Sequence, residues 1–309
     1  MVPKVVIVGS CMIDFTCFSP RLPKPGETLI GSKYEIKYGG KGANQCVTAA
    51  KLGASTAIVA CLGSDTYAQE YLKIFKQENV NVSHIHIQEN QHSGIAHITV
   101  ADNGENSIVV VLGSNASLTS KYVDAAAEAI RDAAVLLCQL ETPLETTRHA
   151  LKLHKGHGLS IINGAPAMEH VDPEILSLCD IFCVNETEAE VMTGVQPLGL
   201  SSVQEAIDKL LDYGCNTVIL TLGEMGAAFA SKENRTATMV PTTPVQPVDT
   251  TGAGDAFLGA LAYFKAYHPA LPMDECIRRA CVVATESVLK VGTHASFPTR
   301  SSLSPDLFL

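Results

Sequence analysis

The sequence predicts an α/β fold: a three-layer α/β/α sandwich with a mostly parallel central sheet and a small antiparallel β lid. Three observations carry the prediction. Short β-branched runs alternate with helical patterns along the chain, two stretches break that alternation with a period of two, and no linker or composition shift divides the 309 residues. The whole chain, 1–309, therefore reads as a single domain, with a lid drawn from roughly 15–39 and 94–112.

Strands are expected at 5–8, 56–61, 135–140, 160–163, 181–184 and 217–222, each a compact apolar run bounded by turn formers. Between them, apolar residues at helical spacing predict helices at 43–52, 67–78, 120–132, 144–154 and 203–213, with another at 276–291. Alternating β and α segments of this length form parallel βαβ units. In the lid, Tyr34, Ile36 and Tyr38 fall on one face of a strand, with Lys33, Glu35 and Lys37 on the other. Residues 95–100 and 107–112 flank Asn103-Gly104, a strong two-residue hairpin signal. The apolar face of such a small sheet needs a cover, either a ligand cleft or another subunit.

Composition excludes several classes. Hydrophobic residues make up 46% of the chain and charged residues 17%, as in a globular protein. A net charge of -10 repels polyanionic nucleic acid and acidic membrane surfaces, so small-molecule partners are expected. The ten cysteines follow no regular spacing and include no C-x-x-C pair, which predicts reduced thiols in the cytoplasm, with the nucleus left open. Cys179 and Cys183, the one close pair, flank an apolar strand and read as core. Asp14 interrupts the first apolar run too early for a secretory signal, and no run approaches the ~18 residues of a membrane span. His84, His86 and His92 show no metal-ligand spacing and read as surface residues.

The segment richest in chemistry is Asp249-Thr250-Thr251-Gly252-Ala253-Gly254-Asp255, followed at once by an apolar helical run over 256–264. Glycines ahead of a helix let backbone N–H groups face an anion, and the helix dipole adds positive charge there. Asp255 falls in the first turn, where a carboxylate can take a proton from a hydroxyl aligned on a bound phosphate. The plainer reading is an ordinary turn, since Asp favours any helix start. Gly39-Gly40-Lys41 is no Walker loop, and Gly9-Ser10 does not continue as a dinucleotide fingerprint.

Gly39-Gly40-Lys41-Gly42-Ala43-Asn44-Gln45, Asn185-Glu186-Thr187-Glu188 and the Asp249 to Asp255 run together resemble the ribokinase (PfkB) family of carbohydrate kinases, in the same order over nearly the whole chain. The resemblance implies ATP-dependent phosphorylation of D-ribose at O5. It also implies that Asp255 is the catalytic base, and that Gly252, Ala253 and Gly254 form an anion hole for the transferring phosphoryl group. Asp14, Gly40, Lys41, Gly42, Asn44 and Glu141 match the family's sugar contacts, with Asp255 beside them. Met12 departs from that pattern, standing where bacterial relatives tend to carry Asn. For ATP and Mg²⁺, the resemblance points to Asn185 and Glu188, to Thr221, Gly223 and Gly226 along the nucleotide, to Gly254, and to Cys281 near the base. Asp249, Thr251, Ser287, Lys290, Gly292 and Ser296 match a site for a monovalent cation, K⁺. A homodimer through the β lid is implied as well. The alternatives are a kinase of another furanose, ketose or nucleoside, and a non-catalytic sugar or nucleotide sensor on the same fold.

Overall fold

The computed structural model describes residues 4–196 and 198–309. β1 (Val5–Val8) leads into β2 (Met12–Ser19) and β3 (Lys33–Gly39), and then α1 (Lys41–Lys51) returns the chain to β4 (Thr56–Gly63). Next come α2 (Thr66–Gln77), β5 (Ile85–Gln88), β6 (Gly94–Ala101) and β7 (Asn106–Val111). The helices α3 (Ser120–Ala125) and α4 (Ala127–Arg131) precede β8 (Val135–Cys138), α5 (Leu144–His154), β9 (Leu159–Asn163), α6 (Pro173–Leu178) and β10 (Ile181–Asn185). The remainder is α7 (Glu186–Thr193), α8 (Val203–Asp212), β11 (Thr217–Thr221), β12 (Ala227–Ser231), β13 (Thr238–Val240), α9 (Ala253–Tyr267) and α10 (Met273–Ser287).

Among the described residues, nine strands form the large sheet in the order β13-β12-β11-β10-β9-β8-β1-β4-β5. Every neighbouring pair from β11 to β5 is parallel, while β12 and β13 close one edge antiparallel. Both faces are buried, as a parallel sheet requires. Alternate residues of β1 divide between two cores: Val5 and Ile7 pack with α1, α2, α9 and α10, and Val6 and Val8 with the helices from α3 to α8. These are the three expected layers. The smaller sheet, β3-β2-β6-β7, is antiparallel at its two outer pairs and parallel between β2 and β6. Its hairpin turns at Asn103 and Gly104, as the sequence predicts.

Several boundaries differ from the sequence expectation for identifiable reasons. The 120–132 stretch is two helices, because Ala126 N donates to Val123 O at 3.0 Å and tightens the turn between them. The helix expected over 276–291 ends at Ser287, since Val288 O accepts instead from Val248 N and Asp249 N at 2.8 and 3.2 Å. β5, β12 and β13 were not foreseen: the alanine-rich Ala227–Ser231 run lacks β-branched residues, and β13 spans only three. All ten cysteines are free, and Cys179 and Cys183 are buried in the core. Of the histidines, His92 is exposed, while His86 stacks on Tyr122 with ring centroids 4.0 Å apart. No helix among the described residues is long and apolar enough to cross a membrane.

One helix contact sets the site. α9 crosses α1 at Gly259, where an added Cβ would lie 2.5 Å from Gln45 O and 2.6 Å from Thr48 Cβ. Ala is ordinarily the better helix former, by about 0.5–1 kcal/mol. Here the obstacle is backbone, so overpacking prevails at a cost of roughly 1–3 kcal/mol. Gly259→Ala is therefore expected to lower Tm by several degrees in thermal unfolding, and an unchanged or raised Tm would contradict this packing.

Candidate active site

The site gathers at the carboxyl ends of the parallel strands, where open α/β sheets bind ligands. Ser10 follows β1, Glu141 follows β8, Asn163 and Asn185 end β9 and β10, and Thr221 ends β11. A cavity of about 150 Å³ lies there, walled by Lys41, Asn163, Asn185, Glu188, Thr221 and residues 252–255.

Gly252 adopts a left-handed conformation (φ 79°) and Ala253 opens α9, so Asp255 occupies the first turn as the sequence predicts. The N–H groups of Gly254 and Asp255 have no intrahelical carbonyl four residues back and carry the positive end of the helix dipole. An added Cβ on Gly254 would meet nothing within 4 Å, so open space begins at its Cα. Asp255 is 7% exposed. Its Oδ2 accepts from Asn44 Nδ2 at 2.8 Å and its Oδ1 from Gln45 Nε2 at 2.9 Å. Burial pushes this carboxyl up to about 6, against the lowering pull of Lys41, Asn44 and Gln45.

The start of α1 has no cap from its own chain segment, because its N-cap is Gly40. Glu141 supplies one: Oε2 accepts Lys41 N at 3.0 Å and Ser10 Oγ at 2.5 Å. A carboxylate is well placed at a helix N-terminus. This external cap explains why α1 begins at Lys41, two residues before the sequence pattern suggests. Gly40 (φ 90°) is needed there, since a Cβ would lie 2.7 Å from Met12 N. Gly42 likewise presses on the Gly9–Ser10 backbone, with a hypothetical Cβ 2.6 Å from Ser10 N. Burial acts to lower the Lys41 ammonium, but Asp255, Glu141 and Glu188 outweigh it and the net direction is up. Asp14, on β2, rises to about 6 through burial and the fields of Glu141 and Asp255, with Lys37 opposing. Asn44 keeps Oδ1 buried with no hydrogen-bond partner among the described residues.

Met12 is buried, its Sδ 3.5 Å from Asn115 Nδ2, at the base of the lid where β2 pairs with Gly39 and Gly94. On the other side of the cavity, Asn185 and Glu188 cap α7 reciprocally: Asn185 Oδ1 accepts Glu188 N, and Glu188 Oε2 accepts Asn185 N, both at 2.8 Å. Thr221 lines the cavity, whereas Gly223 and Gly226 lie in the turn between β11 and β12, outside its wall. Cys281 also lies outside that wall, buried on α10, its thiol pushed up to about 12 by burial.

Asp249 joins the two segments expected to hold an alkali cation. Its Oδ1 accepts Thr251 N at 2.9 Å and its Oδ2 accepts Gly292 N at 2.8 Å. Burial acts to raise this carboxyl, but bonds from Thr251 and Gly292 outweigh it and hold it below the usual range. Ser296 Oγ donates to Gly292 O at 2.7 Å, and Ser287 Oγ to Ala284 O at 2.7 Å. Lys290 is exposed, beyond the end of α10. No group of three or more His, Cys, Asp or Glu among the described residues is arranged to hold a metal ion.

The structure also brings in residues that the sequence did not single out. Ser10 anchors Glu141, Asn163 and Thr250 line the cavity, and Gln139 donates from Nε2 to Gln45 Oε1 at 2.7 Å. The sequence signal of Ser10, Asn163 and Gln139 is position, at or just past the ends of predicted strands, and Thr250 falls within the glycine motif.

Comparison with known proteins agrees with this geometry. The family model described as pfkB family carbohydrate kinase matches residues 2–300. The ribokinase of Mus musculus is 41% identical over 305 residues, covering 98% of this chain and 94% of that protein. The deoxyribokinase of Salmonella typhi is 35% identical over 306 residues, covering 99% of each. The structure of Arabidopsis thaliana ribokinase complexed with ribose and ATP superposes with a TM-score of 0.90 at 30% identity, covering 98% of this chain and 97% of that one. A buried carboxylate at a glycine-led helix start, a capped lysine helix facing it and a match over almost the full length lead to one assignment: the chain belongs to the pfkB family of carbohydrate kinases.

Proposed function

We propose that the protein transfers the γ-phosphoryl group of ATP to the 5-hydroxyl of D-ribose, with Asp255 as the base. The observation that carries this reading is the buried Asp255 carboxylate at the glycine-led start of α9, in one cavity with Lys41. The relative of higher identity among the two compared above is a ribokinase, which supports ribose over 2-deoxyribose.

The chain's own groups divide the work. Asp14, Glu141 and the unpartnered Asn44 Oδ1 supply acceptors for sugar hydroxyls, and Lys41 N and the Gly40–Gly42 turn fix their spacing. The 5-hydroxyl gives its proton to the Asp255 carboxylate as its oxygen bonds the γ-phosphorus and the bond to the β-phosphate oxygen breaks, releasing ADP. Charge on the transferring group meets the N–H groups at the Gly252–Asp255 helix start, of which that of Ala253 also donates to Thr250 O at 3.2 Å. Asn185 and Glu188 fit a hydrated Mg²⁺: backbone N–H groups fix one oxygen of each, and lone pairs remain for metal-bound water. Mg²⁺ there would offset phosphate charge. Thr221 would lie along the nucleotide, with Gly223, Gly226 and Cys281 farther from the phosphates.

The Asp249 carboxylate, the Ser296 hydroxyl and the backbone carbonyls of Thr251, Ser287, Lys290 and Gly292 would hold K⁺. The hydrogen bond from Gly292 N to Asp249 supports this, because it draws the two oxygen-bearing segments together. A homodimer through the lid is also proposed, supported by β7, whose Ile108, Val109, Val110 and Val111 are all more than half exposed. Ten free thiols support the cytoplasm as its compartment.

Three sets of outcomes are expected. ADP formation from ATP should depend on D-ribose, with 2-deoxyribose a poorer substrate. Asp255→Asn should cut kcat by about 10²- to 10⁴-fold, its amide accommodated by a turn of the Asn44 side chain. Because the deprotonated form of Asp255 is the active one, kcat should fall as pH drops through about 6. A mutant retaining most of its kcat would remove Asp255 from the mechanism. Second, Gly254→Ala should fold with an unchanged or slightly higher Tm, since its methyl meets no protein atom, yet lose ATP turnover because the methyl enters the cavity. Full turnover would show that the phosphates lie elsewhere. Third, phosphorylation should rise sharply when K⁺ replaces a bulky organic cation at constant ionic strength, and Asp249→Ala should abolish that response. Full activity without alkali cations would dismiss the site.

A further inference from the structure

Gln45 belongs to the N-terminal motif but has no part in the roles above. It is fully buried, and while its Nε2 donates to Asp255 Oδ1, its Oε1 accepts from Gln139 Nε2. Gln139 is 1% exposed and follows β8, two residues before Glu141. The polarity of this chain is fixed from one end. An ionised carboxylate only accepts, so Gln45 must turn its NH₂ to Asp255 and its oxygen to Gln139, which must present its own NH₂.

We propose that Gln139 and Gln45 form an oriented amide relay that positions the Asp255 carboxylate for proton transfer, Gln45 directly and Gln139 through it. The inference rests on Asp255 being the base. Neither glutamine lines the cavity, so both are positioning residues.

An aspartate carboxyl rotates in a broad torsional well, and one donor leaves it a hinge. Asn44 on Oδ2 and Gln45 on Oδ1 fix both oxygens and leave lone pairs for the sugar hydroxyl. Two amides in line also polarise each other and strengthen the final bond. Gln139 Oε1 has no hydrogen-bond partner among the described residues and abuts Gly9, where a Cβ would lie 2.0 Å away. A buried acceptor without a partner is destabilising, and the same contact keeps the Gln139 amide from turning. The charged groups facing Asp255 are Lys41 on α1, which stabilises the carboxylate, and Glu141 after β8 and Asp14 on β2, which oppose it. Without the donor from Gln45, burial and the two neighbouring carboxylates are less opposed. The Asp255 carboxyl then moves further up, and the acidic limb of kcat moves to higher pH.

The test is steady-state kinetics on Gln45→Met, Gln139→Met, the double variant and Gln139→Glu. Gln45→Met should lower kcat about ten- to a hundredfold, with much smaller changes in both KM values. Its acidic limb should shift upward. Gln139→Met should do the same more weakly, and adding it to Gln45→Met should cost nothing more, because a relay has one output. Gln139→Glu only accepts once ionised, so it turns Gln45 oxygen-first toward Asp255. It should be slower than Gln139→Met although closer in shape. If Gln45→Met does not fold, the order of the two Gln139 variants decides. An unmoved acidic limb, multiplicative losses in the double variant, or Gln139→Glu matching the parent overturns the relay. Wild-type turnover by Asp255→Asn would instead overturn the base assignment beneath it.

Discussion

The structure depends on one contact between two helix starts: the Asp255 carboxylate in the first turn of α9 accepts amide protons from Asn44 and Gln45 in the first turns of α1. Both helices lie on the same face of the sheet and are drawn together by the bare Cα of Gly259. Each aims the positive end of its dipole at the same space. The lysine that opens α1, the carboxylate in α9 and the acceptors beneath them are thereby placed by packing, and flexible loops have little part in their geometry.

This arrangement is held against a cost. Asp14 and Asp255 both have carboxyls raised to about 6 in the fold, above their ordinary 3.8. A group raised in this way binds its proton more tightly folded than unfolded. The contribution of these two groups to stability therefore falls as pH rises through the window from about 4 to 6, where the folded protein must give up protons that the unfolded chain has already lost, while the buried His294, held down to about 3, acts in the opposite sense there. The core contributed by α9 and α10, with Phe257, Leu261, Phe264 and Ile277 buried, offsets this local cost.

The architecture was legible because its signals are local. Runs such as 5–8 and 181–184 are apolar and compact, the Asn103-Gly104 turn carries its own geometry, and Asp255 sits in the first turn of an apolar helix. What escaped depends on distant partners. The start of α1 lies at Lys41 because Glu141 caps it from the segment after β8, and α10 stops at Ser287 because the 248–249 backbone takes its next carbonyl. Gln139 looks unremarkable in sequence, since only the folded sheet brings it to Gln45. Cys281, Gly223 and Gly226 were suggested by resemblance alone, and they lie outside the cavity wall.

The borrowed cap on α1 also bears on how the molecule comes into being. Glu141 lies 100 residues beyond Lys41 in the chain, and Asp255 lies 211 beyond Asn44. As the polypeptide leaves the ribosome, α1 emerges with the N–H groups of its first turn still waiting for a distant acceptor, and its buried amides wait longer still. Contacts of such sequence separation close late. The scaffold can collapse around β1 and β4 early, while the cluster around Asp255 is completed only when the last two helices dock, so the Asp255 carboxylate is among the last groups to find its partners.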